Sequence, residues 1–193
     1  MNALTPLQKR EVFHLLFLRE LVRTVPLSAF VLKGGTNLRF FFGSIRYSED
    51  MDLDASGLDE GVRVEPVAAE ILAAYRMPPV IVPHYDAHSA AMQKVVALFS
   101  RALPQTRDIF DLYLLSSRPE VLEVGLGHGF APESIQRARD RIDSIGYRQY
   151  RDTVVDFLGP EDRAAHDSPS VWDEIRLRVL DMFEGNVRDG SQA

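Results

Sequence analysis

Hydrophobic positions in the first part of the chain recur at the spacing of an amphipathic helix. Thr5 is suited to cap that helix and Pro6 to occupy its first position. We expect the helix to end near Arg23, before Pro26. Its predicted hydrophobic face consists of Val12, Phe13, Leu16, Phe17 and Leu21.

A short apolar run, a glycine pair and a second apolar cluster come next. Residues 29–32 predict a buried strand, because they are apolar and stop abruptly at Lys33 and two glycines. Leu38 and the phenylalanines at 40–42 predict a short helix. Acidic and apolar residues then alternate over residues 50–54, and this period of two predicts a strand with its carboxylates on one face.

The remaining patterns are mostly helical. Residues 65–75 predict a helix, and residues 80–82 a third strand that Pro83 keeps short and at a sheet edge. Further helices are predicted over 90–103, 106–115, 132–145, 148–158 and 168–183. The expected fold class is α/β (α+β), with a small sheet and flanking helices in residues 1–86 and an all-helical region over residues 87–193.

Composition narrows the possible functions. The chain has 193 residues, no cysteine and a formal net charge of −6. Without cysteine there is no disulfide scaffold, no thiolate zinc site and no cysteine nucleophile. Charge-free runs are too short to cross a bilayer, so we expect a cytoplasmic protein with no membrane partner.

The uneven distribution of charge changes what the net charge means. Overall acidity argues against binding nucleic acid, since phosphate binding depends on clustered Lys and Arg. However, residues 1–48 carry a net charge of +5 and residues 49–86 a net charge of −7. A divalent metal would offset part of the acidic segment, so the distribution is compatible with an RNA-modifying enzyme.

Residues 31–54 combine the parts of a nucleotide and metal site. Gly34 and Gly35 let the backbone turn sharply after a strand and present N–H groups, together with a helix start, to a phosphate. Asp50 and Asp52 lie on one face of the predicted strand, where their carboxylates can share one or two Mg²⁺ ions. This order of elements therefore predicts binding of a nucleotide and its metal.

Two further residues belong to the predicted site. Ser48 is expected on the same strand face as Asp50 and Asp52, and Arg46 can neutralise the charge of a phosphate. Each part alone has an ordinary alternative, because glycine pairs usually form turns and alternating acidic residues usually form solvated strand faces. Their joint order favours the nucleotide site. His84 and His88 lie four residues apart, but no third ligand is evident, which disfavours zinc.

The order strand, glycine pair, helix and Asp-x-Asp strand resembles the nucleotidyltransferase superfamily that includes DNA polymerase beta. Residues 33–52 are similar to the K-G-G-T-x-L…G…R-x-S-x-D-x-D stretch of the AbiEii/AbiGii nucleotidyltransferase toxins, which include the MenT-like toxins. Residues 93–115 are similar to a second block of that family, K-x-x-A-L…R…R-D-x-x-D-L-x-x-L. The resemblance spans residues 30–115.

The resemblance implies a role for each matching residue. The implied metal ligands are Asp50, Asp52 and Asp108, with Asp111 less certain because it lies nearly one helical turn further on. Lys94 is implied to contact the triphosphate and to be catalytic with these acids; its alternative is a solvated surface lysine. The implied nucleotide-binding set is Lys33, Gly34, Gly35, Thr36, Arg46, Ser48 and Lys94. Arg107 matches the second block but is equally explained as a surface charge.

The resemblance also implies a function. The expected activity is that of a toxin of a toxin–antitoxin system: Mg²⁺-dependent transfer of a nucleoside monophosphate from an NTP to the 3′ end of tRNA, which blocks aminoacylation and translation. The expected partners are tRNA and a cognate antitoxin. Two alternatives remain open, a catalytically inactive binding or regulatory module, and a nucleotidyltransferase acting on a small molecule or a protein hydroxyl.

Overall fold

The computed structural model describes residues 3–55, 60–123, 125–127 and 129–183. Four short strands in the N-terminal half form one mixed sheet in the order β2-β1-β4-β3. The central strand β1 pairs antiparallel with β2 and parallel with β4, and β3 pairs antiparallel with β4. The strands are β1 (Val31–Lys33), β2 (Asp52–Asp54), β3 (Val62–Pro66) and β4 (Ile81–Tyr85).

Helices flank the sheet and make up the C-terminal half, which confirms the predicted α/β class. Two 3₁₀ turns, Leu27–Ala29 and Val155–Phe157, join them. No helix in the described ranges is long and apolar enough to span a membrane. The helices are α1 (Pro6–Thr24), α2 (Gly34–Phe41), α3 (Ala69–Ala74), α4 (Ala87–Ser100), α5 (Thr106–Leu115), α6 (Pro119–Leu122), α7 (Pro132–Ser144), α8 (Tyr147–Thr153), α9 (Pro160–His166) and α10 (Pro169–Phe183).

Helix α1 begins where the sequence predicts, but it buries a different face. Thr5 caps it: Thr5 Oγ1 accepts from the backbone N–H of Gln8, and the backbone N–H of Thr5 donates to Gln8 Oε1. The buried positions include Leu15 and Leu18. The predicted face is wrong for Phe13, Leu16 and Phe17, which are exposed, whereas Leu21 packs against the core as predicted. The helix therefore packs on the sheet through a stripe that the sequence pattern did not identify.

Three predictions for the sheet are corrected. Residues 62–66 form β3, so the predicted helix over 65–75 is wrong at its start and begins only at Ala69. Strand β4 lies between β1 and β3, so the predicted edge position is wrong. Pro83 is tolerated in this interior strand because the parallel pairing with β1 is the single pair Leu32–His84, which needs no N–H from Pro83. Asp50 lies in a bend before β2 instead of in the strand.

The described residues contain two hydrophobic clusters. The first lies between α1, α3 and the sheet and includes Leu15 and Val82. The second fills the C-terminal half, where α4 packs against α5 and α7, and includes Tyr150 stacked on Trp172 with ring centroids 4.6 Å apart. Both of these aromatic rings are buried, so neither is available to stack on RNA bases.

The predicted C-terminal helices are present with small shifts of their ends. The prediction for 106–115 matches α5, while the helix predicted over 148–158 stops at Thr153 and continues as a 3₁₀ turn. That turn connects the two halves, because the backbone N–H of Tyr47 donates to Phe157 O at 2.9 Å. The loop that leads to Asp50 and Asp52 is thereby fixed against the C-terminal helices.

Candidate active site

A cavity of about 330 Å³ lies between the start of α2, the β2 strand and helices α4 and α5. It brings together residues from both halves of the chain. Nine of the residues predicted for the site line it: Lys33, Gly34, Gly35, Arg46, Ser48, Asp50, Asp52, Lys94 and Asp108. Five further lining residues are Asp54, Gln93, Ala97, Arg101 and Arg107.

The glycine pair forms one wall of the cavity and is required there by geometry. Gly34 has a φ of +68°, a conformation that only glycine adopts without strain, and a Cβ on it would overlap the Asp52 carboxylate. A Cβ on Gly35 would lie 2.7 Å from Ser48 Oγ and 2.8 Å from Arg46 Nη2. The absence of side chains therefore lets Asp52, Ser48 and Arg46 approach the start of α2, where the first backbone N–H groups have no partner within the helix.

Asp50 and Asp52 form an acidic wall to which the described residues supply no counter-charge within ion-pair distance. Both residues are exposed, and within the described residues neither carboxylate has a hydrogen bond or an ion pair. The backbone carbonyl of Asp50 accepts from Thr36 Oγ1 at 2.8 Å and from Ser48 Oγ at 3.0 Å. These two hydroxyls hold the bend that carries Asp50, so Asp50 reaches the cavity without belonging to β2. Thr36 is buried behind the cavity.

Lys33 and Asp54 face each other at the edge of the cavity. Their side chains form an ion pair, and Tyr85 Oη donates to the second oxygen of Asp54 at 3.0 Å. Asp54 therefore differs from the two acids before it, since its charge is already compensated by Lys33.

Lys94 stands on the opposite wall within a network of alternating charges. It is only 9% exposed; its Nζ donates to Asp108 Oδ1 at 3.2 Å and lies 2.7 Å from Asp111 Oδ2. Asp108 also accepts from Arg101 Nη1 at 2.6 Å. Asp108 and Asp111 are three residues apart on α5, so both point to the same side of the helix and both hold Lys94.

Arg46 completes this network from the N-terminal half. Its Nη2 donates to both oxygens of Asp111 at 3.0 and 3.1 Å, and Asp111 is fully buried. Burial alone would raise the pKa of Asp111, but the charges of Arg46 and Lys94 outweigh it, so that pKa lies below its usual value. Asp111 therefore carries its charge, and it lies beneath the cavity instead of lining it.

Comparison with known proteins supports the interpretation of the acidic wall. The family description "Nucleotidyl transferase AbiEii toxin, Type IV TA system" matches residues 16–76, which contain the glycine pair and both exposed acids. The resemblance to the AbiEii toxins is confirmed. No curated protein and no solved structure matches the chain. The Lys94 and Asp108 block lies outside the AbiEii match, and its link to the site is the shared cavity.

The carboxylates of this AbiEii-like site suit Mg²⁺ better than zinc. Within the described ranges, no group of three or more His, Asp or Glu side chains is arranged to hold a metal on its own. Mg²⁺ in nucleotide sites is typically held by one or two carboxylates plus substrate phosphates. Asp50 and Asp52, which have no ion-pair partner in the part of the chain that the structure describes, fit that donor set. Both oxygens of Asp108, by contrast, are already engaged by Lys94 and Arg101.

Several site residues are not identified by the sequence reasoning. Arg101 matches the first arginine of the block at residues 93–115 but was given no role; it lies seven residues after Lys94, two helical turns along the same face, and that spacing is a usable signal. Asp54 continues the alternation that marks Asp52, so the pattern itself contained it. Arg107, which the sequence leaves unresolved, lines the cavity. The pairing of Asp111 with Arg46 across 65 positions has no local signal.

Proposed function

We propose that this chain is a Mg²⁺-dependent nucleotidyltransferase toxin that transfers a nucleoside monophosphate from an NTP to the 3′ end of tRNA. The observation that carries this proposal is the pair of opposed walls in one cavity. One wall has the uncompensated carboxylates of Asp50 and Asp52, and the other has Lys94 and Arg101. The AbiEii match over residues 16–76 supports the coarser part of this proposal, nucleotidyl transfer by a toxin.

The cationic wall and the glycine turn are suited to the triphosphate. Lys94 presents positive charge from α4 and Arg101 from the C-cap of that helix, while Gly34 and Gly35 present backbone N–H groups from the start of α2. Asp108 forms ion pairs with Lys94 and Arg101, and Asp111 forms ion pairs with Lys94 and Arg46. The resemblance implies a metal role for Asp108 and, less certainly, for Asp111; we propose instead that both acids fix these cations.

The acidic wall is suited to the reacting end of the NTP. Mg²⁺ held by Asp50 and Asp52 would activate the acceptor hydroxyl and stabilise the charge of the leaving pyrophosphate. The acceptor oxygen forms a bond to the α-phosphorus, the bond from that phosphorus to the pyrophosphate breaks, and the hydroxyl proton passes to solvent. Thr36 and Ser48 keep Asp50 in place during this step through its backbone carbonyl.

The proposal includes the setting of the reaction. An added nucleotide at the tRNA 3′ end would block aminoacylation and hence translation in the cytoplasm, and a cognate antitoxin would counteract the toxin. Residues 1–86 form the nucleotidyltransferase core in this proposal, and residues 87–193 complete the active site.

The proposal is tested by incubating the purified protein with Mg²⁺, total tRNA and each labelled NTP in turn. We expect incorporation of label from at least one NTP and its loss in Asp52→Ala. Asp140→Ala, on the exposed side of α7, is the matched control and should keep full activity. No incorporation by the wild-type protein with any NTP would contradict the proposal.

A further inference from the structure

Gln105 joins two arginines beside the nucleotide cavity. It is the cap residue before α5, but its side chain makes no capping hydrogen bond to that helix. Instead, Gln105 Oε1 accepts from Arg101 Nη1 at 2.5 Å and from Arg107 Nε at 2.8 Å. Because guanidinium groups only donate, the amide oxygen is the atom that must face them. One neutral oxygen therefore holds two cationic side chains that both line the cavity.

Arg107 has no counter-charge at ion-pair distance. In the part of the chain that the structure describes, its contact with Gln105 is its one hydrogen bond, and it forms no ion pair. Glu49 and Asp152 line a neighbouring cavity together with Arg107, but each is near another arginine instead. The two terminal nitrogens of Arg107 are therefore left as donors for a ligand in the nucleotide cavity.

The cationic wall of the cavity has an excess of positive charge. Asp108 fixes Lys94 and Arg101 and at the same time compensates charge, whereas the Gln105 amide fixes Arg101 and Arg107 and compensates none. Neighbouring cations repel each other, and a bound anion relieves that repulsion. The wall has a net charge of +2, because its four cations are Lys94, Arg101, Arg107 and Arg46 and its two acids are Asp108 and Asp111.

We propose that Gln105 is a positioning residue that holds Arg101 and Arg107 against the two phosphates that leave as pyrophosphate. This inference rests on the proposed function, because it names the groups that stabilise the leaving part of the NTP. Guanidinium groups bind phosphate oxygens through paired N–H donors, so their planes must be fixed. As the bond between the α-phosphorus and the pyrophosphate breaks, negative charge grows on the pyrophosphate, and the two arginines stabilise it.

Gln105→Glu separates this role from a purely structural one. The variant keeps the shape of the side chain and its acceptor oxygen, so the free energy of unfolding should be unchanged or higher. The added negative charge, however, compensates the charge of the arginines. We expect the Kd for inorganic pyrophosphate to rise about tenfold or more, as for the loss of one hydrogen bond to a charged group. Isothermal titration calorimetry without metal measures it, so that Asp50 and Asp52 do not contribute.

Gln8→Glu is the matched control for the change of charge. Gln8 lies in the first turn of α1 and does not line the cavity. A glutamate at this position keeps the capping box with Thr5. We expect this variant to bind pyrophosphate with the Kd of the wild type, because the same substitution is made away from the arginines.

Gln105→Ala and Arg107→Gln test whether Gln105 acts through the arginines. Each should raise the Kd for pyrophosphate, Gln105→Ala by freeing both arginines and Arg107→Gln by removing one. In the double variant the effect should be smaller than the two single effects together, since part of the effect of Gln105 passes through Arg107. In the transfer assay each single variant should raise KM for the NTP and leave KM for tRNA unchanged, a split that a general loss of folded protein would not produce.

The pyrophosphate measurement keeps the inference separate from the proposed reaction. Equal binding by wild type and Gln105→Glu, or no binding by wild type, would overturn the inference. Fully additive effects in the double variant would also overturn it. If transfer fails with every NTP while pyrophosphate binding still depends on Gln105, the proposed reaction is contradicted and the positioning role of Gln105 at an anion site is supported.

Discussion

The two pairs of acids at this site have the same chemistry and opposite surroundings. Asp50 and Asp52 are exposed on the cavity wall, and the described residues give their carboxylates no partner. Asp108 and Asp111 have no exposed surface, and each is held by two cationic side chains. The first pair can bind a cation from outside, whereas the second pair already holds cations of the protein.

This difference shows that an acidic residue near a nucleotide site need not be a metal ligand. A buried carboxylate with two cationic partners contributes by fixing those cations, and its removal leaves them buried and unpaired. An exposed carboxylate without partners lowers the stability of the fold only through repulsion from a neighbouring carboxylate, and a bound metal relieves that repulsion. The comparison therefore separates effects on stability from effects on metal binding.

Removal of Asp111 should have the largest effect on stability. Asp111→Ala leaves Arg46 and Lys94 without their shared counter-charge, so we expect the free energy of unfolding to fall by about 3–5 kcal/mol. Urea denaturation of the metal-free protein measures this change. Asp111→Asn keeps the shape and should lie between Ala and wild type; a loss below about 1 kcal/mol in both variants would contradict the role given to this network.

Asp111 should also make stability depend on pH in acid. Because the folded-state pKa of Asp111 lies below its unfolded value, its contribution is fully present above about pH 4 and is lost as pH falls through the folded pKa. The difference in unfolding free energy between wild type and Asp111→Asn should therefore shrink below pH 4. Urea titrations at several pH values test this, and a difference that grows on acidification would have the wrong sign.

Gly34→Ala should have an intermediate effect, because it disturbs the acidic wall through the backbone. Its left-handed φ costs an alanine about 1–2 kcal/mol, and the added Cβ overlaps Asp52. Gly43→Ala is the matched control: Gly43 has a φ of +69°, but a Cβ there has only Arg118 Nη2, at 4.0 Å, as a neighbour. We expect both variants to lose stability in urea, and only Gly34→Ala to lose nucleotidyl transfer.

Asp52→Asn should have the smallest effect on the metal-free protein. It removes an exposed charge that has no partner among the described residues, so the free energy of unfolding should change by no more than about 0.5 kcal/mol. Mg²⁺ together with NTP should raise the melting temperature of the wild type and not that of this variant. Equal ligand-induced stabilisation of both proteins, measured by differential scanning fluorimetry, would place the metal elsewhere.

The sequence could predict the acidic wall because its signals are local. Gly34, Gly35, Asp50 and Asp52 follow one another within twenty residues, and their order reflects a turn and an alternation that one segment determines by itself. The bend at Asp50 was not predicted. The alternation of acidic and apolar residues begins at Asp50, whereas the pairing with β1 that defines β2 begins at Asp52.

The buried network and the packing of α1 could not be predicted in the same way. Glu11 is buried on α1 because Arg39 Nε, at 2.6 Å, and Tyr75 Oη, at 2.5 Å, satisfy its charge from distant parts of the chain. A helix that buries a polar residue does not show its packed face as a hydrophobic stripe. The partnership of Arg46 with Asp111 is likewise tertiary, so sequence spacing alone carries no sign of it.

The most direct test of the central claim is the number of Mn²⁺ ions bound in place of Mg²⁺, counted by electron paramagnetic resonance with a non-hydrolysable NTP analogue present. We assign the metal to Asp50 and Asp52 and not to Asp108. We predict that wild type and folded Asp108→Asn bind Mn²⁺ and that Asp52→Asn does not. Full Mn²⁺ binding by Asp52→Asn, or its loss in folded Asp108→Asn, would contradict the account.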